Sequence, residues 1–413
     1  MKVAHVCLSN YYMDDRAYQE NELVEEHVRQ GHDVLVIAST QIFTTDRRRE
    51  FVEPGHYRCN QGIEVIRLPY HPWVPHTVAK SLRPHRGVYQ LLEEFAPDSI
   101  LFHGMCGWEL VTVSRYKKGR PEVKFYVDTH TDFINSARGP VSKWGLHYLY
   151  YRPIVHWCLP WIDKILYISE LTGKFAREFY GVPDEKLEFY PLGGHPVEDD
   201  EYHALRESTR QHLGLGREAG VLSAGRAPGE DDEYHALRES TRQHLGLSDD
   251  QVLFVQSGKQ SASKKLLDTL NAFTGNPDPR FRLVLVGSLL DDIREQAQAL
   301  IDSDDRIQFW GWRTPTELQA LLCGADVYLQ PGSQSATMQT SLCCRCVPVL
   351  ENIEGHGIYT ENNGWLVNNE QELAAVLEEI SSGAADLRVM AAESEKLARQ
   401  KLDYAVLARR ILD

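Results

Sequence analysis

The sequence predicts an α/β protein built of two doubly wound, Rossmann-like halves. Short runs of branched apolar residues recur along the chain, among them KVAHVCLS, HDVLVIAS and FRLVLVGS. Such runs read as strands buried on both faces of a parallel sheet. Stretches of helical length lie between several of them, and strand alternating with helix is the signature of a sheet covered on both sides. The length, 413 residues, exceeds what a single core usually fills, which divides the chain in two.

In the first half, KVAHVCLS is a strand, SNYYMDD a loop, and Arg16–Gln30 a helix stopped at Gly31. HDVLVIAS completes a β–α–β unit, and GIEVIRL, DSILFHG, VKFYVDTH and KILYIS are further strands. The second half repeats the logic. QVLFVQSGK is a strand running into a loop, and Lys264–Phe273 a helix. FRLVLVGS is a strand, Asp291–Ile301 a helix and RIQFWGW a short strand. Thr316–Cys323 is helical, ADVYLQPGS a strand and loop, Met338–Cys346 a helix and VPVLE a strand. Leu373–Ile380 and Asp386–Ile411 are helical. The expected division is 1–190 for the first domain, 191–250 for a junction, 251–390 for the second domain, and 391–413 for a C-terminal helix packing back on the first. Two such halves turn the carboxyl ends of their strands towards a shared crevice, where open α/β sheets bind ligands.

The junction contains a repeat. EDDEYHALRESTRQHLGL stands at 198–215 and again, letter for letter, at 230–247, an offset of 32 residues. Solenoid repeats recur several times and drift; this one reads as a tandem duplication. One copy suffices to join the halves, so the spare segment is expected to be an exposed loop or short helix without chemistry.

The formal net charge of −15 argues against a nucleic-acid partner, whose footprint is basic. None of the eight cysteines shows the paired spacing of a zinc ribbon. Cys343, Cys344 and Cys346 are expected as small buried residues of a helix. The first apolar run, Val3–Leu8, is too short for a signal core. The greasiest region, Trp144–Trp161, is interrupted by Arg152 and Pro153. The expectation is a cytoplasmic protein.

Four constellations follow strands. Gly258-Lys259 precedes Lys264 by five residues, a glycine that lets backbone approach a ligand and two lysines near a helix N-terminus. That combination suits a pyrophosphate, and equally two solvated surface lysines. In PGSQSATMQTSLCCRCVPV, the small residues Gly332, Ser333, Ser335, Ala336 and Thr337 either seat a ligand or cap a helix. VDTHTD places Asp128, His130 and Asp132 at one strand end, and His103 stands at another. Histidine there can share a proton or orient a hydroxyl, or be solvated. The fourth is aromatic and partly basic: Tyr70, Trp73, Lys80, Arg83 and Arg86, then Trp144, Tyr148, Tyr150, Tyr151, Trp157 and Trp161. It fits core packing, or contact with an anionic membrane.

In this order the pieces resemble glycosyltransferase family 4, whose fold is called GT-B. VLFVQSGKQSASKKLLDTLNAF is similar to the family's strand, basic pair and helix. FRLVLVG, RIQFWGW, ADVYLQPGS, VPVLENIEGH and TENNGWLV follow at familiar distances. YQENELVEEHVRQGHDVLVIAS resembles members that build bacterial surface polysaccharides. The resemblance covers nearly the whole chain outside the repeat. It implies transfer of a hexosyl group from a nucleotide-diphosphate sugar to a glycan, lipid-linked or small-molecule acceptor, with retention of configuration. It implies no metal and no separate cofactor, and allows peripheral contact with the inner membrane face. Lys259 and Lys264 match the basic residues that hold the donor diphosphate and stabilise the leaving group. Gly258, Gly287, Ser333, Ser335, Ala336, Thr337 and Ser341 fall on the donor side. His130 matches a histidine touching the sugar at the reaction centre, with His103, Asp128 and Asp132 as acceptor-side or sugar-side candidates. One departure stands out: the family's two glutamates, eight positions apart, are here Ser333 and Ser341, and His195 replaces a common acidic residue. That departure keeps two other readings open, a non-catalytic nucleotide- or glycan-binding protein or partner subunit, and an NDP-sugar epimerase.

Overall fold

A computed structural model describes residues 1–197 and 251–412, apart from 15, 17, 44–47, 60–61, 134–135, 138 and 334. Both copies of the repeat, and the loop or helix expected there, lie outside the described residues. The chain divides into two compact units, Met1–Gly193 with Tyr404–Asp413, and Gly194–Asp403.

The first unit contains β1 (Lys2–Cys7), β2 (Asp33–Ser39), β3 (Gln41–Phe43), β4 (Arg49–Phe51), β5 (Gly55–Arg58), β6 (Glu64–Leu68), β7 (Ser99–Phe102), β8 (Lys124–Thr129), β9 (Lys164–Tyr167) and β10 (Leu187–Phe189). Eight of them form one sheet in the order β10-β9-β8-β7-β1-β2-β6-β5, while β3 and β4 pair separately. Only β5 runs antiparallel to its neighbour in that sheet. From β1 the chain moves outward through β2 and β6, then restarts on the other side of β1 at β7. The strand order therefore reverses between β1 and β7. Alternate residues feed opposite faces: Ala4, Val6, Ile100 and Phe102 pack on one side, Val3, Val34 and Val36 on the other.

The first helix is Gln19–Arg29, shorter than expected at its start because Tyr18 is still extended. Gly31 adopts φ 82, the left-handed turn that ends it. The single helix expected over Asp386–Ile411 is broken at Asp403 (φ −59, ψ 121), which bridges to Gly194. The last helix, Tyr404–Arg410, buries Leu407 and Ala408 against Leu23, Leu101, Leu166 and Tyr190 of the first unit.

The second unit contains β11 (Val252–Gln260), β12 (Phe281–Leu289), β13 (Ile307–Gly311), β14 (Val327–Gln330), β15 (Val347–Glu351) and β16 (Trp365–Val367). All are parallel, in the order β13-β12-β11-β14-β15-β16. Here the order reverses between β11 and β14. The helix after β11 is Leu266–Gly275, entered through Lys265 in the left-handed region (φ 51). Lys264 thus precedes the helix rather than opening it, and β11 runs on past Gly258. The expected helix Met338–Cys346 closes at Cys343, because Arg345 (φ 62) turns the chain into β15. The three clustered cysteines are buried there.

Candidate active site

In open parallel sheets ligands bind beyond the carboxyl ends of the strands where the strand order reverses. Each unit has one such point, and most of the sequence-selected residues lie at one or the other.

In the second unit this point lies between β11 and β14. The loop after β11 and the loop after β14 stack closely: Ser333 N–H donates to the Ser263 carbonyl at 2.9 Å. A Cβ on Gly332 would stand 2.4 Å from that same carbonyl oxygen, so only glycine fits. Lys264 Nζ donates to the Ser333 carbonyl, crossing from one loop to the other. Burial lowers the Lys264 ammonium, and the nearby Glu351 charge partly offsets this. Lys259 is exposed one residue before the end of β11. A third lysine, Lys265, pairs with Glu351 at 2.9 Å and donates to the Asn368 carbonyl at 3.0 Å. Below them runs a polar ladder that the sequence did not announce. Ser257 and Tyr328 hydroxyls lie 3.1 Å apart, Tyr328 and Ser335 3.3 Å apart, and Ser335 Oγ donates to Gln330 Oε1 at 2.7 Å. Ala336 is exposed and Thr337 half-buried at the start of the helix.

Two expectations on this side are corrected. Ser341 is 0% exposed and its hydroxyl donates to the Met338 carbonyl of its own helix at 2.8 Å, so it faces no donor. Gly287 is buried in β12 opposite Gly258, and a Cβ there would sit 1.8 Å from the Gly258 carbonyl oxygen. Its role is to let two strands approach, not to touch a ligand.

In the first unit the point lies between β1 and β7. His103 follows β7, Asp128 lies within β8, and His130 follows β8. Asp128 accepts from His103 Nδ1 at 2.6 Å and from the Gly104 N–H at 2.7 Å. His130 Nε2 stands 3.6 Å from the other contact of that carboxylate, Oδ1. Burial pushes the Asp128 carboxyl up, but His103 and His130 outweigh it and hold it well below the usual carboxylate range. Burial likewise pulls His130 down, and the Asp128 charge overcomes it, raising the ring to about 9. His130 is 25% exposed, whereas Asp128 is 1% and His103 0% exposed. His103 and Asp128 are therefore too buried to present a surface to an acceptor or sugar, and Asp128 faces His130 instead. Asp132 is half-buried two residues beyond it, its carbonyl accepting the Ser136 N–H at 3.3 Å.

The network continues inward. His103 Nε2 lies 3.0 Å from His5 Nδ1, His5 Nε2 lies 2.9 Å from His27 Nδ1, and His27 Nε2 lies 2.9 Å from the Ala408 carbonyl. Each of these four dry contacts, including His103 to Asp128, needs one proton, because two facing lone pairs repel without a water to separate them. Acceptors close both ends, a carbonyl and a carboxylate. Three neutral imidazoles carry three protons, one short of four. The array thus holds one extra proton, matching the negative charge of Asp128. Burial pulls His27 down to about 4 and His5 well below its ordinary range. His5 and His27 were missed in the sequence, where they look like isolated core and helix-face residues.

Comparisons with known proteins bear on the family and the fold. Residues 19–193 match the family described as glycosyl transferase 4-like domain, and residues 249–382 match glycosyl transferases group 1. The chain belongs to glycosyltransferase family 4. Solved structures share its fold over nearly their whole length. A glycosyltransferase from Rickettsia africae is 13% identical with a TM-score of 0.63, covering 99% of this chain and 96% of that one. HepE from Anabaena, crystallised in complex with UDP, is 14% identical with a TM-score of 0.60, covering 100% and 98%. Sucrose-phosphate synthase from Thermosynechococcus elongatus is 14% identical with a TM-score of 0.58, covering 99% and 96%. At such identities these likenesses establish the fold, GT-B with two Rossmann-like domains. No curated protein matches this glycosyltransferase in sequence.

Proposed function

We propose that this family 4 glycosyltransferase moves a hexosyl group, with retention of configuration, from a nucleotide-diphosphate sugar held in its second unit. The acceptor, a glycan, lipid-linked or small-molecule sugar in bacterial surface polysaccharide synthesis, occupies the first unit. The observation that carries this reading is Lys264 spanning the two loops at the β11/β14 reversal, with Lys259 beside it. Charge develops on the diphosphate as the glycosidic bond breaks, and fixed ammonium groups in a partly dry site stabilise it there. On this reading the two lysines, rather than a metal or a separate cofactor, meet the leaving group, and His130 lies against the transferring sugar. HepE has been crystallised with UDP and with UDP-glucose, which makes uridine nucleotides the first candidates. The family matches are to transferases, and so lend no support to the non-catalytic or epimerase readings.

Calorimetry with UDP, GDP, ADP and their sugar conjugates tests the donor assignment. One diphosphate should bind, and Lys259→Ala/Lys264→Ala should weaken it by about tenfold or more. Retention of full affinity in the double variant refutes it. On the same reading the protein works at the cytoplasmic face of a membrane. No helix among the described residues is long and apolar enough to cross one. Trp73, Val141, Trp144 and Leu149 are exposed, with Lys143 among them, which suits peripheral contact with anionic lipid. Absence of co-sedimentation with anionic vesicles at low salt ends that part of the proposal.

A further inference from the structure

Arg83 is a cation without a counter-ion among the described residues, at the strand reversal of the first unit. The helix His76–Leu82 ends at Arg83 in the left-handed region (φ 55, ψ 45), a conformation that residues with side chains rarely adopt. Its Nη1 donates to the Ser9 carbonyl at 2.8 Å and to the Cys106 carbonyl at 3.0 Å. Ser9 follows β1 and Cys106 follows β7, so the guanidinium lies across the carboxyl ends of the two strands between which the order reverses. Both protons of Nη1 are thereby used. Nε is buried and has no acceptor. No carboxylate among the described residues forms an ion pair with this guanidinium.

The groups around it do not supply the missing charge. The Tyr11 ring lies 5.7 Å from Cζ, a weak attraction through the ring face. Burial raises Tyr70, Tyr151 and the Cys106 thiol, keeping each protonated. Burial, with the Arg83 charge adding to it, pulls His85 and His147 down to about 4. Glu109 accepts the His85 N–H at 2.8 Å and forms no ion pair with Arg83. A guanidinium is always charged, and this one, half-buried, keeps only part of its hydration. Nε is closed to a ligand, so the donor left for one is Nη2, which makes no hydrogen bond among the described residues and can donate to a carboxylate or phosphate oxygen. The site also adjoins the reacting end of the unit: Cys106 Sγ lies 3.9 Å from Thr131 Oγ1, next to His130.

We propose that Arg83 anchors an oxyanion, a phosphate ester or a carboxylate, carried by the acceptor sugar. The inference rests on the reading that the acceptor occupies the first unit, and it narrows that acceptor to anionic sugars. The sequence groups Arg83 with aromatic and basic residues that fit core packing or contact with an anionic membrane; the structure places it at the strand reversal.

The test uses the full chain with the Lys259→Ala/Lys264→Ala changes, so that phosphate cannot report on the donor side. Glucose 6-phosphate, glucuronate and glucose are titrated in turn while the Arg Nε–H resonances are followed, Arg83 being assigned with Arg83→Lys. Glucose 6-phosphate or glucuronate should move the Arg83 resonance saturably, and glucose should not. Arg83→Lys, which keeps the charge but loses the fixed Nη2 donor, should weaken that binding by about tenfold or more. A response to the first sugar alone identifies a phosphate, and to the second alone a carboxylate. If neither moves the resonance, or glucose moves it equally, the proposal is overturned. The resonance is read in protein with Arg83 intact, so misfolding of the lysine variant cannot mask the answer. UDP binding to the unaltered chain reports separately on the glycosyl-transfer reading.

Discussion

Asp128→Asn removes the charge that sets His130, and its effect can be sized in advance. His130 lies 3.6 Å from Asp128 Oδ1 and is raised from 6.5 to about 9. A rise of about 2.5 units corresponds to ~3.4 kcal/mol. A charge pair at that spacing is worth ~4.6 kcal/mol at an effective dielectric of about 20, before burial of the ring is subtracted. The two figures agree in order of magnitude. With asparagine the attraction is gone and burial remains, so His130 should titrate below 6.5. Because the folded-state value is raised, the stability it contributes is fully present below pH 6.5 and is lost as pH climbs through about 9. The parent should therefore lose up to ~3 kcal/mol of unfolding free energy between pH 6.5 and 10 from this group, and the variant should not. Imidazole resonances followed by NMR against pH, assigned with His130→Gln, give the titration. Urea unfolding at a series of pH values gives the stability. A parent His130 that titrates at or below 6.5, or a variant that still titrates near 9, refutes the electrostatic account.

Two further predictions concern other parts of the fold. His5→Leu cuts the array so that two hydrogen-bonded contacts remain for two neutral rings; 15N spectra at pH 7 should show one doubly protonated imidazole among His5, His27 and His103 in the parent and none in the variant. Gly287→Ala should destabilise the second unit by about 3 kcal/mol or more, since the methyl would collide with the Gly258 carbonyl at φ +125; an unfolding midpoint unchanged in urea would show that β11 and β12 can part without cost.

Much of the architecture was legible because buried parallel strands announce themselves as apolar runs. β1, β2, β7, β8, β11, β12, β14 and β15 all fall on such runs. One edge of the first sheet was not legible. β5 is largely exposed and carries His56 and Arg58, so no apolar run marks it. The break at Asp403 was hidden for a related reason: the residues on either side keep helical spacing, and only pairing with Gly194 interrupts them. Lys259, Lys264 and His130 could be picked out because they lie at or just after strand ends. Ser341 could not be rejected, since spacing along a chain does not say which way a helix turns a hydroxyl. Nor could His5 and His27 be joined to His103, because 22 and 98 residues separate His5 from its two partners.

The carbonyl of Ala408 gives the histidine array its direction. It belongs to the last helix, yet it obliges His27 to present its proton outward and so fixes which nitrogen of His5 and then of His103 is a donor. Without that carbonyl the three contacts left could be satisfied by three neutral rings, all with the opposite tautomer. The final turns of the polypeptide thus act as a polarity mark, read hundreds of residues away in sequence as an added proton beneath His130. Removing the last helix of this enzyme is in consequence a chemical change to its first unit, and not merely a change in length.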